Sequence, residues 1–203
     1  MSQGRILSCQ GLTLGMNRVS PGGGFWQDAR MDETPVFYTH VDSPIGPMLL
    51  AGSDTCVVRS SFPSGSRAVR PKSGWIENAA ALREATRQLR AYFAGELTEF
   101  DLPLAPGGNP FQMAVWDELR KIPYGKTVSY GEIAQRLGEP LSASRAVGAA
   151  NGANPLPVFI PCHRVIGADN SLTGFGGGLP VKRFLLDLEF RVRPPKDTLF
   201  AFM

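Results

Sequence analysis

The sequence predicts a mixed α/β (α+β) protein: a small N-terminal β-sheet and helix domain, then a mostly helical C-terminal domain carrying a helix-turn-helix. Three observations predict it. Residues 36–41 and 48–51 are apolar, β-rich runs separated by the turn-forming Asp42-Ser43-Pro44-Ile45-Gly46-Pro47. Leu82, Ala85, Leu89 and Tyr92 then recur at helical spacing. Beyond a linker rich in Pro and Gly at 102–108, two helix-start signals follow at Asn109 and Ser129, and a tight turn joins two short helical segments. These divide the chain into a flexible N-terminal extension (1–34), a scaffold domain (35–105), a second domain (106–192) and a tail (193–203).

Taken in order, residues 1–34 have sparse, unpatterned apolar positions and a Gly22-Gly23-Gly24 break. The hairpin follows, and Cys56-Val57-Val58 adds a strand. Residues 59–74 read as loop, and a helix is expected from about Glu77 to Phe93. Asn109 can cap the next helix, with Pro110 at its first position and Gln112 completing a capping box. Phe111, Val115, Leu119 and Ile122 form its apolar stripe. Ser129 and Glu132 make a second capping box, with Val128 and Ile133 as a hydrophobic staple. Gly138 ends that helix. Glu139-Pro140-Leu141-Ser142 is the turn, and a helix of small residues starts near Ser142 and runs to Asn151 with one long cation, Arg145. A last helix spans about 180–191, its apolar face Phe184, Leu185 and Leu188.

Composition narrows the function. The chain has 203 residues and a formal net charge of +3. Residues 1–106 hold 10 Lys+Arg and 10 Asp+Glu, whereas 107–203 hold 11 and 8, so the excess lies in the second half. That permits a polyanionic partner without requiring one. Three widely spaced cysteines and two histidines fit neither a disulfide framework nor a zinc site. Cys9, His40 and Cys56 lack metal-ligand spacing, so no metal is expected. No apolar run suits a membrane span, and a cytoplasmic protein is expected.

Residues 154–167 are the unusual stretch. Pro155, Pro157 and Pro161 fix φ and withhold donors, so an extended, stiff connector is expected, with Val158-Phe159-Ile160 buried. A thiol and an imidazole, Cys162 and His163, end it. A thiol attacks only as thiolate, and His163 is the one nearby base.

Pro161-Cys162-His163-Arg164-Val165 resembles the active-site signature of the O6-alkylguanine-DNA alkyltransferases, the methylated-DNA–protein-cysteine methyltransferases. The resemblance covers about 109–189 closely and 36–100 more loosely. It includes Ser43-Pro44-Ile45-Gly46 and Ser144-Arg145-Ala146-Val147-Gly148. It implies that Cys162 takes an alkyl group once and irreversibly from O6-alkylguanine, or O4-alkylthymine, flipped out of duplex DNA. It further implies that His163 activates the thiol through a water and that Glu189, rather than neighbouring Asp187, is the third relay member. Asn154 would brace the site, and Tyr130 would press the target phosphate outward and donate a proton or hydrogen bond to the base. Arg145 would enter the base stack. The second helix would lie in the minor groove, with Ser129, Tyr130, Ala143, Ala146 and Gly148 at the DNA. The carbonyls of Cys162 and Val165 would read the guanine amino group. Phe175, Gly176 and Gly177 would form a lid, Gly176 standing where the family often has serine, so that larger adducts are admitted. Arg164 is read as a structural cation. The expected protein is a monomer with double-stranded DNA as partner and no cofactor. A lesion-binding protein that transfers nothing is the main alternative; Cys162 argues against it. A transcription factor and a thiol hydrolase fit less well.

Overall fold

A computed structural model describes residues 35–194. The expected N-terminal extension, Cys9 and the tail from 195 lie outside the described residues.

The first half is a four-stranded sheet of β1 (Phe37–Val41), β2 (Met48–Gly52), β3 (Val57–Ser61) and β4 (Ile76–Glu77), in the order β3-β2-β1-β4. The expected hairpin is there: β1 and β2 run antiparallel with Tyr38 opposite Ala51. Two expectations need correction. Strand β3 runs on through Arg59, Ser60 and Ser61, which sequence assigns to loop. The first helix, α1 (Arg83–Ala94), begins six residues later than expected. Ile76 and Glu77 instead pair parallel with β1, and the Asn78 side chain accepts from the N–H groups of Ala80 and Ala81, holding a turn ahead of the helix. A distant strand outcompetes local helical spacing here.

The second half contains α2 (Pro110–Arg120), β5 (Val128–Ser129), α3 (Tyr130–Arg136), α4 (Ser144–Gly152), β6 (Val165–Ile166) and α5 (Leu179–Val192). Both capping boxes form as the spacing requires, on α2 and on α3. Gly138 takes φ +76° beyond α3, where an L side chain would be strained. A single 3-10 turn at Leu141–Ala143 precedes α4, which therefore starts two residues later than expected. The helix pair packs as a helix-turn-helix around buried Ile133, Ala134, Val147 and Ala150.

The edge of β3 joins the halves. Val57 N–H donates to Pro103 O and Ala105 N–H to Val57 O, so the linker lies along that edge. Further along it, Ser60 N–H donates to Pro155 O at 3.0 Å and its hydroxyl to Pro157 O at 2.9 Å. An otherwise open sheet edge is thus satisfied by the segment leading to Cys162. One apolar cluster continues from Leu50 and Leu89 through Trp116 and Leu119 to Ile160 and Leu185.

Candidate active site

The segment before Cys162 is buried, but it is not extended. Val158 adopts φ +77°, and Ile160 N–H donates back to Leu156 O at 2.8 Å. A β-branched residue in that region costs on the order of 1–3 kcal/mol. Asn154 holds the bend from both sides: its Oδ1 accepts from Leu156 N–H at 3.0 Å, and its Nδ2 donates to Ile160 O at 2.8 Å. Cys162, His163 and Arg164 then form one 3-10 turn rather than the end of an extended run. The parallel pair β5–β6 ties the start of α3, hence Tyr130, to Val165 directly after that turn.

Behind the turn lies a buried cluster centred on Glu189 of α5. Its carboxylate accepts from His163 Nε2 at 2.8 Å, Tyr92 Oη at 2.8 Å, Gly125 N–H at 2.9 Å and the Arg164 guanidinium at 2.9 and 3.0 Å. Burial pushes its pKa up, but the charge and hydrogen bonds of His163 and then Arg164 outweigh this and hold it at about 2. Asp187 is exposed, whereas Glu189 is buried against His163.

An ionised carboxylate only accepts, which assigns the imidazole proton to Nε2 and leaves Nδ1 with a free lone pair. Nδ1 is buried and has no hydrogen-bond partner among the described residues. Burial, opposed by the Glu189 hydrogen bond, lowers the His163 pKa, so the ring is a neutral base at pH 7. The permanent positive charge facing Glu189 is therefore Arg164, whose Nη1 also donates to Ile122 O.

Cys162 is buried, and burial pushes its pKa up to about 11 against the opposing Asn154 side chain and Lys182 charge. Its carbonyl already accepts from Val165 N–H and from Asn151 Nδ2 at 3.3 Å. The Val165 carbonyl accepts from Lys182 Nζ at 2.7 Å, and Thr173 O accepts from the same group at 3.2 Å. Burial, with the facing thiol opposing, lowers the fully buried lysine to about 8.

The residues expected at the DNA fall into two groups. Arg145 and Ala146 are exposed on α4, and Arg145 makes no ion pair or hydrogen bond among the described residues. Others serve packing: Ser129 caps α3, Ala143 is half-buried, and Gly148 lies beneath the Tyr130 ring. Tyr130 Oη accepts from Thr173 Oγ1 at 3.2 Å, and burial raises its pKa. Phe175 packs against Phe62 with centroids 5.3 Å apart and the rings tilted by 50°. A Cβ on Gly176 would sit 2.8 Å from Arg67 Cγ, and one on Gly177 2.6 Å from the Phe62 ring. The room that glycine leaves at 176 is thus taken by Arg67.

A cavity of about 280 Å³ opens onto Cys162 between Asn154, Pro157, Gly174, Phe175 and the β3 side of the sheet. Sequence reading passes over Tyr92, Asn151 and Lys182 as members of this site. Only Lys182 leaves a trace, as a cation among the apolar positions of the last helix.

Residues 110–191 match the family model "6-O-methylguanine DNA methyltransferase, DNA binding domain", and 36–106 match "6-O-methylguanine DNA methyltransferase, ribonuclease-like domain". A methylated-DNA–protein-cysteine methyltransferase of Methanosarcina acetivorans is 52% identical over 154 residues, 76% of this chain and 98% of the relative. One from Mycolicibacterium paratuberculosis is 53% identical over 164 residues, 80% of this chain and 98% of its own. The crystal structure of Mycobacterium tuberculosis OGT in complex with DNA superposes with a TM-score of 0.72 at 49% identity, covering 77% of this chain and 94% of that one. This chain belongs to the 6-O-methylguanine DNA methyltransferase family.

Proposed function

We propose that this protein repairs alkylated DNA by flipping O6-alkylguanine, and O4-alkylthymine, out of the duplex and moving the alkyl group irreversibly to its own Cys162. It acts as a methylated-DNA–protein-cysteine S-methyltransferase. The observation that carries this reading is a buried thiol lining an open cavity, backed by a neutral imidazole whose far nitrogen is locked to a buried carboxylate.

The duplex docks its minor groove on α3 and α4, where the small side chains of α4 allow close approach. Arg145 fills the stack vacated by the target nucleotide, whose extrusion costs a few kcal/mol. In the cavity, the thiol proton passes toward His163 Nδ1 through a solvent molecule, and Glu189 stabilises the imidazolium that results. Sulfur attacks the alkyl carbon. The S–C bond forms as the C–O6 bond breaks, its electron pair goes to O6, and Tyr130 donates a proton to the departing base. A thioether has no ready leaving group, so each chain acts once. DNA entry brings the alkyl carbon to a thiol that is buried and protonated at rest, which sets the timing of transfer.

A duplex carrying one radiolabelled O6-methylguanine tests the reading. Label is expected on protein up to one group per chain, and none on a Cys162→Ser variant. More than one group per chain, or label retained by that variant, contradicts it; tight binding without transfer would favour the lesion-binding alternative.

A further inference from the structure

The wall of the cavity opposite the thiol loop comes from the first half of the molecule. Arg59 on β3 and Arg67 on the loop after it both line the cavity that holds Cys162. Arg59 is half-buried, and neither guanidinium forms an ion pair or hydrogen bond among the described residues. No Asp or Glu lines this cavity. Burial already works against the Arg59 charge, so a partly desolvated cation stands there uncompensated. Arg67 is held in place by its stem, which lies against Gly176, and by its backbone N–H donating to Gly176 O at 3.3 Å. The other buried cations of the site, Arg164 and Lys182, already have partners: Glu189 for the first, backbone carbonyls for the second.

From this we propose that Arg59 and Arg67 make the pocket selective for alkyl adducts that end in a carboxylate, of which O-carboxymethyl is the smallest. The inference rests on the function proposed above and names a substrate class within it. The adduct's methylene carbon meets the Cys162 sulfur, and its carboxylate faces the arginine wall. A planar guanidinium accepts a carboxylate through paired N–H donors, a match that a neutral alkyl group cannot make. The transfer balances as for methyl: the S–CH2 bond forms, the CH2–O6 bond breaks, its electron pair and one proton leave with guanine, and Cys162 becomes an S-carboxymethyl thioether. A DNA phosphate is a second possible source of negative charge at these arginines. It would be felt equally by every adduct, which separates the two.

Single-turnover transfer is measured from otherwise identical duplexes carrying O6-carboxymethylguanine, the near-isosteric neutral O6-(2-hydroxyethyl)guanine, and O6-methylguanine. The parent is expected to favour carboxymethyl over hydroxyethyl by about tenfold, the size of one charge-assisted pair. That ratio should collapse in Arg59→Met with Arg67→Met. It should fall in Arg67→Glu alone, which changes only an exposed loop side chain and leaves the sheet intact. A parent ratio near one, or a ratio that survives both variants, overturns the inference; so does an equal fractional loss on all three duplexes, which marks phosphate contact. A parent that takes no group from any duplex overturns the proposed function itself, an outcome distinct from an unaltered ratio.

Discussion

Beneath Cys162, the charges are matched inside the protein: Glu189 collects Arg164, His163, Tyr92 and the Gly125 N–H, while Lys182 rests on two carbonyls. On the α3–α4 face, Arg145 is exposed and has no partner among the described residues. One region is wired before any substrate arrives, and its loss should be felt by the fold as well as by the chemistry. The other gains its partners only from outside, so its loss should be felt by DNA handling alone. Burial also raises Cys162 to about 11, roughly 3 kcal/mol against ionisation, so its reactivity is expected to depend on a docked base.

The largest expected effect comes from breaking the wired side. Glu189→Gln removes the charge opposite buried Arg164 and should cost about 3–5 kcal/mol by urea denaturation. It should also slow transfer about 10³-fold or more, because the histidine loses both its tautomer lock and the charge that stabilises its protonated form. A variant as stable as the parent would show that Glu189 is not the centre of this cluster. Arg145→Ala sharpens the contrast: stability should stay within about 0.5 kcal/mol. Transfer from duplex DNA should fall on the order of 10²-fold, and the loss should be at least tenfold greater on duplex than on free alkylguanine base. Equal losses on both substrates would place Arg145 in the chemistry instead.

Acid should act on the wired side in two stages. Folded His163 resists protonation, whereas the unfolded chain takes up that proton near pH 6.5, so stability should start to drop below that pH. Glu189, at about 2 when folded against 4.5 ordinarily, contributes stability that is fully present above 4.5 and is lost as pH falls toward 2, about 3 kcal/mol in all. Urea midpoints at pH 7.5, 5.5 and 3.5 should fall at each step; a flat profile to pH 4 would contradict the neutral histidine. The smallest effect is on the DNA side: Ser129→Ala removes the α3 cap and should cost about 1 kcal/mol by thermal unfolding, with no change in the acid profile.

Sequence reading reaches the parts of this structure that are local or carry a family signature. The two capping boxes needed only residues three apart. Cys162, His163 and Glu189 came from the resemblance, and the geometry then separated Glu189 from Asp187 by burial. What escaped was set by distant partners. Glu77 leaves the expected helix for a strand 39 residues upstream in the chain, where it pairs with Tyr38. The bend at Val158 depends on Asn154 reaching both Leu156 and Ile160, so three prolines alone read as a straight rail. Tyr92 joins the Glu189 cluster from 71 residues before His163. Gly176 read as spare room, because nothing near it in sequence announces that Arg67 lies against it.

The most direct test of a thiol that is silent at rest is its own titration. Mass-mapped uptake of iodoacetamide at Cys162, followed against pH in the DNA-free protein, should be half-maximal near pH 11, while transfer from methylated duplex is already fast at pH 7. Half-maximal uptake below pH 8 would mean that the free protein carries a ready thiolate, and that neither burial nor docking controls it.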